Sequence, residues 1–416
     1  MKISRITVWH LDLPLSHPYF LSGGRLRFDR LDSSIIRIDT DAGISGWGEA
    51  CPWGHTYLPA HGPGVRAGIE TMAPALLGRD PRGLEHLNLV MDVTLPGHPY
   101  AKSAIDIAAW DIFGQAAGMP LWQCLGGGGD GHGAATPVAV NSSISTGTPE
   151  EMIALIKAAS ADGYRTHSAK IGGNDPDLDI ARINAISAAL PAGENVTFDV
   201  NRAWQPGTAI RVLNSVASRE WVEQPCETLD QCAHVAARVP QPIMLDECMN
   251  GLQDHLDAWR RNACNGVKVK PNRLGGLTRA RQIRDFGVSV GWQMHIEDVG
   301  GSVLADTAAL HLAASTPEAN RLASWLCHHH LALDPMPGQG ARNVAGFATV
   351  PSAPGLGVTP DEAALGTAAA IYEKTGPTAG RKDRRGDDND RAHPDATAGG
   401  TRPYGAAGRR FRQFRR

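Results

Sequence analysis

Hydrophobic and polar positions change period along the chain, and the changes mark its elements. From Ile3 to Leu13 and from Ser34 to Ile38 apolar residues alternate with polar ones and β-branched side chains are frequent, the pattern of half-buried strands. Ala42 to Glu49 reads as a turn followed by a further strand, so the chain opens as a small antiparallel meander. Helical spacing then takes over at Gly68 to Leu77 and at Tyr100 to Ala117, where Ala104, Ile105, Ala108, Ala109, Ile112 and Phe113 recur at three and four. Strands and helices are segregated here, which predicts an α+β domain.

Past Gly126-Gly127-Gly128-Gly129 the pattern alternates. Strands are expected at 136–140, 166–171, 196–200, 221–223, 243–246, 266–270, 291–296 and 321–325, with amphipathic stretches such as Pro149 to Asp162 and Asp177 to Ala189 between them. Eight strands at spacings of mostly 20 to 30 residues fit a closed (β/α)8 barrel better than an open sheet, and no G-x-G-x-x-G follows a strand to suggest a dinucleotide fold. The α/β barrel predicts where chemistry lies: at the C-terminal ends of its strands.

Composition narrows the class. With 416 residues, 42% of them hydrophobic and 20% charged, the chain has enough apolar material for two or three cored domains. No run of about 18 apolar residues occurs and the N-terminus alternates like a strand instead of carrying a signal core, so a soluble, cytoplasmic protein with no membrane partner is expected. Seven scattered cysteines without C-x-x-C spacing read as reduced thiols. The net charge of -3 conceals a division: residues 377–416 carry net +6 and are nearly devoid of aliphatic residues, whereas the preceding body carries net -9. Residues 374–416 are therefore expected to be a disordered basic tail, and the acidic body argues against a specific nucleic-acid partner.

Three carboxylates satisfy the strand-end rule in succession. Asp199, Glu223 and Asp246 each close a predicted strand, 24 and 23 residues apart, so one βα unit separates each from the next. Convergent carboxylates repel unless a hard cation sits among them, and Mg2+ suits a few carboxylates plus water and substrate oxygens. Lys170 and Lys270 end the strands on either side of this set, and can face each other across a substrate bound at the metal. Desolvation and a neighbouring cation would tune such a lysine toward neutrality, as a general base requires.

The order Lys170, Asp199, Glu223, Asp246, Lys270, with Ala104-Ile105-Asp106-Ile107-Ala108-Ala109-Trp110-Asp111 and Leu125-Gly126-Gly127, resembles the enolase superfamily in its muconate lactonizing enzyme and mandelate racemase branch. The resemblance runs from residue 1 to about 373. It implies a capping domain of residues 1–128 completed by about 340–373, a catalytic barrel over 129–339, and a homo-oligomer. It further implies one Mg2+ per subunit on Asp199, Glu223 and Asp246, and removal of a proton alpha to the carboxylate of a small substrate. Where much of that family has Lys-x-Lys at the end of the second barrel strand, this chain has Ser168-Ala169-Lys170, with the first charge missing.

Ser-x-Lys with Lys270 and the run His295-Ile296-Glu297-Asp298-Val299-Gly300-Gly301-Ser302 most resembles the group acting on hydroxyproline, cis-3-hydroxy-L-proline dehydratases and neighbouring betaine epimerases. That resemblance implies a lyase that uses the two lysines as acid and base; we assign the base to Lys270 and the acid to Lys170, with the reverse assignment as the alternative. Trp53 and Tyr57 would belong to a loop closing over the substrate, an aromatic lid suited to a ring ammonium. Glu297 or Asp298 would pair with the ring nitrogen, or orient His295. The competing readings are an epimerase or racemase of proline derivatives, a sugar-acid dehydratase using His295, and a noncatalytic ligand-binding barrel.

Overall fold

The computed structural model describes residues 1–22, 24–128, 135–173 and 175–373; the predicted basic tail and Gly129 lie outside the described residues. The opening meander is longer than its alternation announces. Ile3–Leu21 and Leu26–Thr40 form a hairpin, Ser45–Ala50 pairs with the second strand, and Ala370–Glu373 returns to pair with the first. Ser16, His17 and Pro18 are exposed, so no apolar rhythm marks the outer part of the first strand. That part carries Tyr19 and Leu21 to the mouth of the barrel.

Helices Gly62–Leu76, Leu84–Thr94 and Pro99–Ala117 follow the meander. The second is absent from the sequence reading. Leu84, Leu87 and Met91 are buried at helical spacing, but Leu89 and Val93 are exposed and blur the stripe. The third helix is buried almost all round, packed between the sheet and the barrel segments Pro271–Leu274 and Leu277–Ser289. It approaches the strand so closely that a Cβ on Gly46 or Gly48 would stand 2.2 Å from the carbonyl oxygen of Ala108 or 2.0 Å from that of Ala104. Only glycine fits at these two points.

Seven parallel strands, Asn141–Ile144, Thr166–Lys170, Asn195–Asp199, Trp221–Glu223, Ile243–Leu245, Gly266–Val269 and Gln293–Ile296, lie side by side in chain order. The expected eighth, 321–325, closes the ring through bridges instead of a full ladder. Leu322 N–H donates to Met294 O at 2.9 Å on one side, and Asn141 N–H donates to Ser324 O at 2.7 Å on the other. The fold is the (β/α)8 barrel with an α+β cap. One strand was misplaced: within the expected 136–140 only Val138–Ala139 is a strand, paired with Phe347–Ala348 in a separate small sheet. The first barrel strand, Asn-Ser-Ser-Ile, turns Asn141 and Ser143 into a polar cavity and so lacks the apolar signature. All seven cysteines are free, and among the described residues no helix is long and apolar enough to cross a membrane.

Carboxylates of the cap cap the barrel's helices. Glu49, fully buried at the end of the third strand, accepts hydrogen bonds from Ser302 N–H (2.9 Å), Ser302 Oγ (2.6 Å), Ala305 N–H (3.1 Å) and Ser33 Oγ (2.6 Å), closing the N-terminus of Val303–Ala314. Asp106 does the same for Leu277–Ser289 through Thr278 N–H (2.9 Å) and Thr278 Oγ1 (2.6 Å). These bonds tie the two barrel helices to the cap and meet the unpaired donors of a helix start. Glu49→Ala strands four buried donors and is expected to cost about 3 kcal/mol of unfolding free energy in a urea titration. A loss below about 1 kcal/mol would show that the strut is dispensable.

Candidate active site

An open-mouthed cavity lies at the C-terminal ends of the barrel strands under the cap. Lys170, Asp199, Glu223, Asp246, Lys270, Ser168, Trp53, Tyr57 and Glu297 all line it. Parallel register sets Lys170 beside Asp199 and Asp199 beside Glu223. Immediately after these carboxylates the backbone turns through left-handed residues that are not glycine, Asn201 (φ 44°), Arg202 (φ 66°) and Gln224 (φ 37°). Such strain is held only where the surroundings fix it. Here Gln224 Oε1 accepts Asp246 N–H at 2.7 Å, Gln224 Nε2 donates to Cys226 O at 2.9 Å, and Asn201 N–H donates to Asp199 Oδ1 at 3.0 Å.

The carboxylates are engaged by cations. Lys170 Nζ donates to Asp199 Oδ2. Asp246 takes Lys270 Nζ at 2.9 Å on one oxygen and Arg273 Nη1 at 2.7 Å on the other. Lys268 Nζ stands 3.2 Å from Glu223 Oε2 and donates to Glu297 Oε1 at 3.1 Å. Burial pushes Glu223 well above the usual carboxylate range, and the Asp199 charge adds to it. Burial would do the same to Asp246, but Arg273 and Lys270 hold it below. For Lys170 and Lys270 burial favours neutrality, yet Asp199 and Asp246 outweigh it and both lie above the ordinary lysine value, opposite to the tuning expected from sequence.

Among the described residues no three carboxylate, imidazole or thiol groups are gathered round one point as a metal cluster; Asp199 is paired with Lys170, and Asp246 with Lys270 and Arg273. The donor set still fits a hard divalent cation. Its members are all carboxylates, they ring one cavity, and Glu223 Oε2 is buried without a hydrogen bond, the angle to Lys268 being wrong for one.

Two residues singled out from sequence do not line the cavity. His295 lies behind its wall, with Nδ1 accepting from Asn141 Nδ2 at 2.9 Å, and burial together with Lys268 and Lys270 keeps it neutral. Asp298 turns away to accept Asn272 Nδ2 (2.7 Å) and Val299 N–H (2.7 Å), and burial pushes it up to about 8. Other residues of the cavity escaped the sequence reading. Lys268 shares a strand face with Lys270, and Trp325 closes the eighth strand, so both carried a positional signal; Tyr19, out on the capping hairpin, carried none. Tyr19, Trp53 and Trp325 pack edge to face with ring centroids 5.0 to 6.0 Å apart, forming one wall. Tyr57 donates to Glu247 Oε1 at 2.6 Å and lies under the Arg202 guanidinium, 5.1 Å from its ring centre, which ties the cap loop to the barrel.

Residues 6–126 match the mandelate racemase / muconate lactonizing enzyme N-terminal domain, and residues 151–364 match the enolase C-terminal domain-like model. The chain belongs to the mandelate racemase/muconate lactonizing enzyme branch of the enolase superfamily. Within that branch it is 37% identical to the cis-3-hydroxy-L-proline dehydratase of Roseibium aggregatum, over 89% of this chain and 100% of that one. It is 29% identical to the N-succinyl-L-Arg/Lys racemase of Bacillus cereus, over 76% of this chain and 85% of that protein. An enolase-superfamily member from Roseovarius nubinhibens ISM, solved in complex with magnesium, is 72% identical, with a TM-score of 0.86 over 90% of this chain and 100% of its own.

Proposed function

We propose that this chain is a Mg2+-dependent dehydratase converting cis-3-hydroxy-L-proline to 1-pyrroline-2-carboxylate. The observation that carries the reading is a pair of lysines, Lys270 buried and Lys170 half-buried, flanking three carboxylates in one cavity beside an aromatic wall. The full-length likeness to a dehydratase of that substrate supports it. In this reading residues 1–128, with about 340–373, cap a catalytic barrel of 129–339.

Asp199, Glu223 and Asp246 would hold the cation. Bound there, Mg2+ supplies positive charge against the dianion that forms when a proton leaves the carbon next to a carboxylate. Lys270, entering the step as its neutral amine, takes the alpha proton, and Lys170, entering as its ammonium across the carboxylate set, protonates the departing hydroxyl. In the cis isomer hydroxyl and carboxylate share a face, so the alpha proton lies on the other. Removal is therefore anti to the leaving group, and acid and base must stand on opposite sides. The enamine left behind tautomerises to the pyrroline. Glu297, whose Oε2 is buried without a partner in the cavity wall, is placed to receive the ring ammonium, whereas Asp298 is not. Tyr19, Trp53 and Trp325 offer one side of the cavity as an aromatic wall against which a ring ammonium can rest.

The same two lysines would serve epimerisation, a reading favoured by the racemase relative. Proton NMR of cis-3-hydroxy-L-proline with the protein and Mg2+ in D2O separates them. Loss of the C3 carbinol signal with growth of pyrroline-2-carboxylate is the expected result. Exchange or inversion at the alpha carbon with the hydroxyl retained would assign the epimerase, and an unchanged spectrum would sink the hydroxyproline reading.

A further inference from the structure

The sixth barrel strand sends two lysines into the cavity, and the chemistry above uses only the outer one. Lys268 lies one pleat deeper than Lys270, with 4% of its side chain exposed. Its ammonium bridges Glu223 Oε2 (3.2 Å) and Glu297 Oε1 (3.1 Å), and among the described residues no other cation lies within 4 Å of Glu223. Across the cavity, the position one pleat below Lys170 is Ser168, which brings no charge. The deep positive charge of this cavity thus comes from the sixth strand and not from the second.

We propose that Lys268 is a positioning residue acting through Glu223 and Glu297: a fixed cation that aligns both carboxylates, restrains the affinity for the divalent ion, and favours the dianion formed on proton loss. The inference rests on the reading of Asp199, Glu223 and Asp246 as cation ligands. One charge has two opposed consequences. An ammonium about 3 Å from a ligand oxygen repels a divalent ion bound to that oxygen, so it weakens metal binding. The same positive charge in a water-poor site opposes the build-up of negative charge on the substrate, so it speeds the chemistry. A side chain that merely braced the wall would move metal affinity and turnover in the same direction when lost.

Calorimetric titration of Mg2+ into the full chain, thermal melts with and without Mg2+, and kcat and KM on cis-3-hydroxy-L-proline test this in Lys268→Met, Lys268→Gln and Lys268→Arg. Lys268→Met is expected to bind Mg2+ about tenfold tighter or more and to gain more in Tm from added Mg2+ than wild type. Its kcat is expected to fall about 100-fold or more, with a much smaller change in KM. Lys268→Gln carries the same expectation and stands in if the Met variant does not fold, while Lys268→Arg returns both quantities toward wild type. Binding of Mg2+ that is unchanged or weaker in the uncharged variants, or unchanged kcat, overturns the role of Lys268 alone. A wild type that takes up no Mg2+ overturns the ligand reading beneath it, and the proposal with it.

Discussion

Lys270→Ala is expected to abolish both dehydration and deuterium incorporation at the alpha carbon, lowering turnover by about 10^3-fold or more, the range in which loss of a positioned general base falls. Lys170→Ala is expected to stop dehydration to a similar degree while leaving slow alpha-proton exchange, because the carbon acid is still deprotonated but the hydroxyl has no acid to leave with. The two variants therefore differ in kind, and proton NMR in D2O reads the difference directly. The opposite pattern, exchange surviving in Lys270→Ala only, reverses the assignment of acid and base. Wild-type turnover in both would remove the two lysines from the proton transfer, and absence of turnover and exchange in wild type and variants alike would leave a barrel that binds ligands without chemistry. The loss of each ammonium also frees an oxygen of Asp199 or Asp246, so Mg2+ affinity has to be measured alongside. A kcat that stays low at saturating Mg2+ separates a missing proton carrier from a disturbed metal site.

The five residues on which the proposed chemistry turns were legible because the barrel writes its active site periodically. Each stands at a strand end, one βα unit from the next. The same logic hid the first barrel strand: Asn141 and Ser143 face the cavity, so Asn-Ser-Ser-Ile shows none of the apolar content by which strands are found. Proximity in sequence misled at 295–298. Neighbours along a strand point to opposite faces, so of this run Glu297 enters the cavity while Asp298 turns back to Asn272 and Val299. His295 shares a face with Glu297 but sits deeper, where Asn141 covers it. Charge tuning was the least legible property. It depends on which carboxylate each lysine meets, and the contacts of Lys170 with Asp199 and of Lys270 with Asp246 are set by tertiary packing alone.

Asp246 carries the largest combined burden, and Asp246→Ala is expected to lose stability and activity together. Its two oxygens neutralise Lys270 and Arg273, and Arg273 is buried with Nε and Nη2 lacking any hydrogen-bond partner, so this carboxylate is what compensates the guanidinium. Removing one member of a buried ion pair costs about 3–5 kcal/mol, because the remaining charge has neither partner nor water. Urea unfolding should show a loss of that size, and the rise in Tm on adding Mg2+ should shrink with the loss of one proposed ligand. The double variant Asp246→Ala/Arg273→Met separates the two burdens. With the guanidinium gone, most of the lost stability should return, while turnover stays absent because the cation site is still one carboxylate short. Equal instability of the single and double variants would mean that Asp246 supports the fold through Lys270 or through the backbone turn at Gln224, and not by compensating Arg273. Recovery of activity in the double variant would remove Asp246 from the proposed metal site.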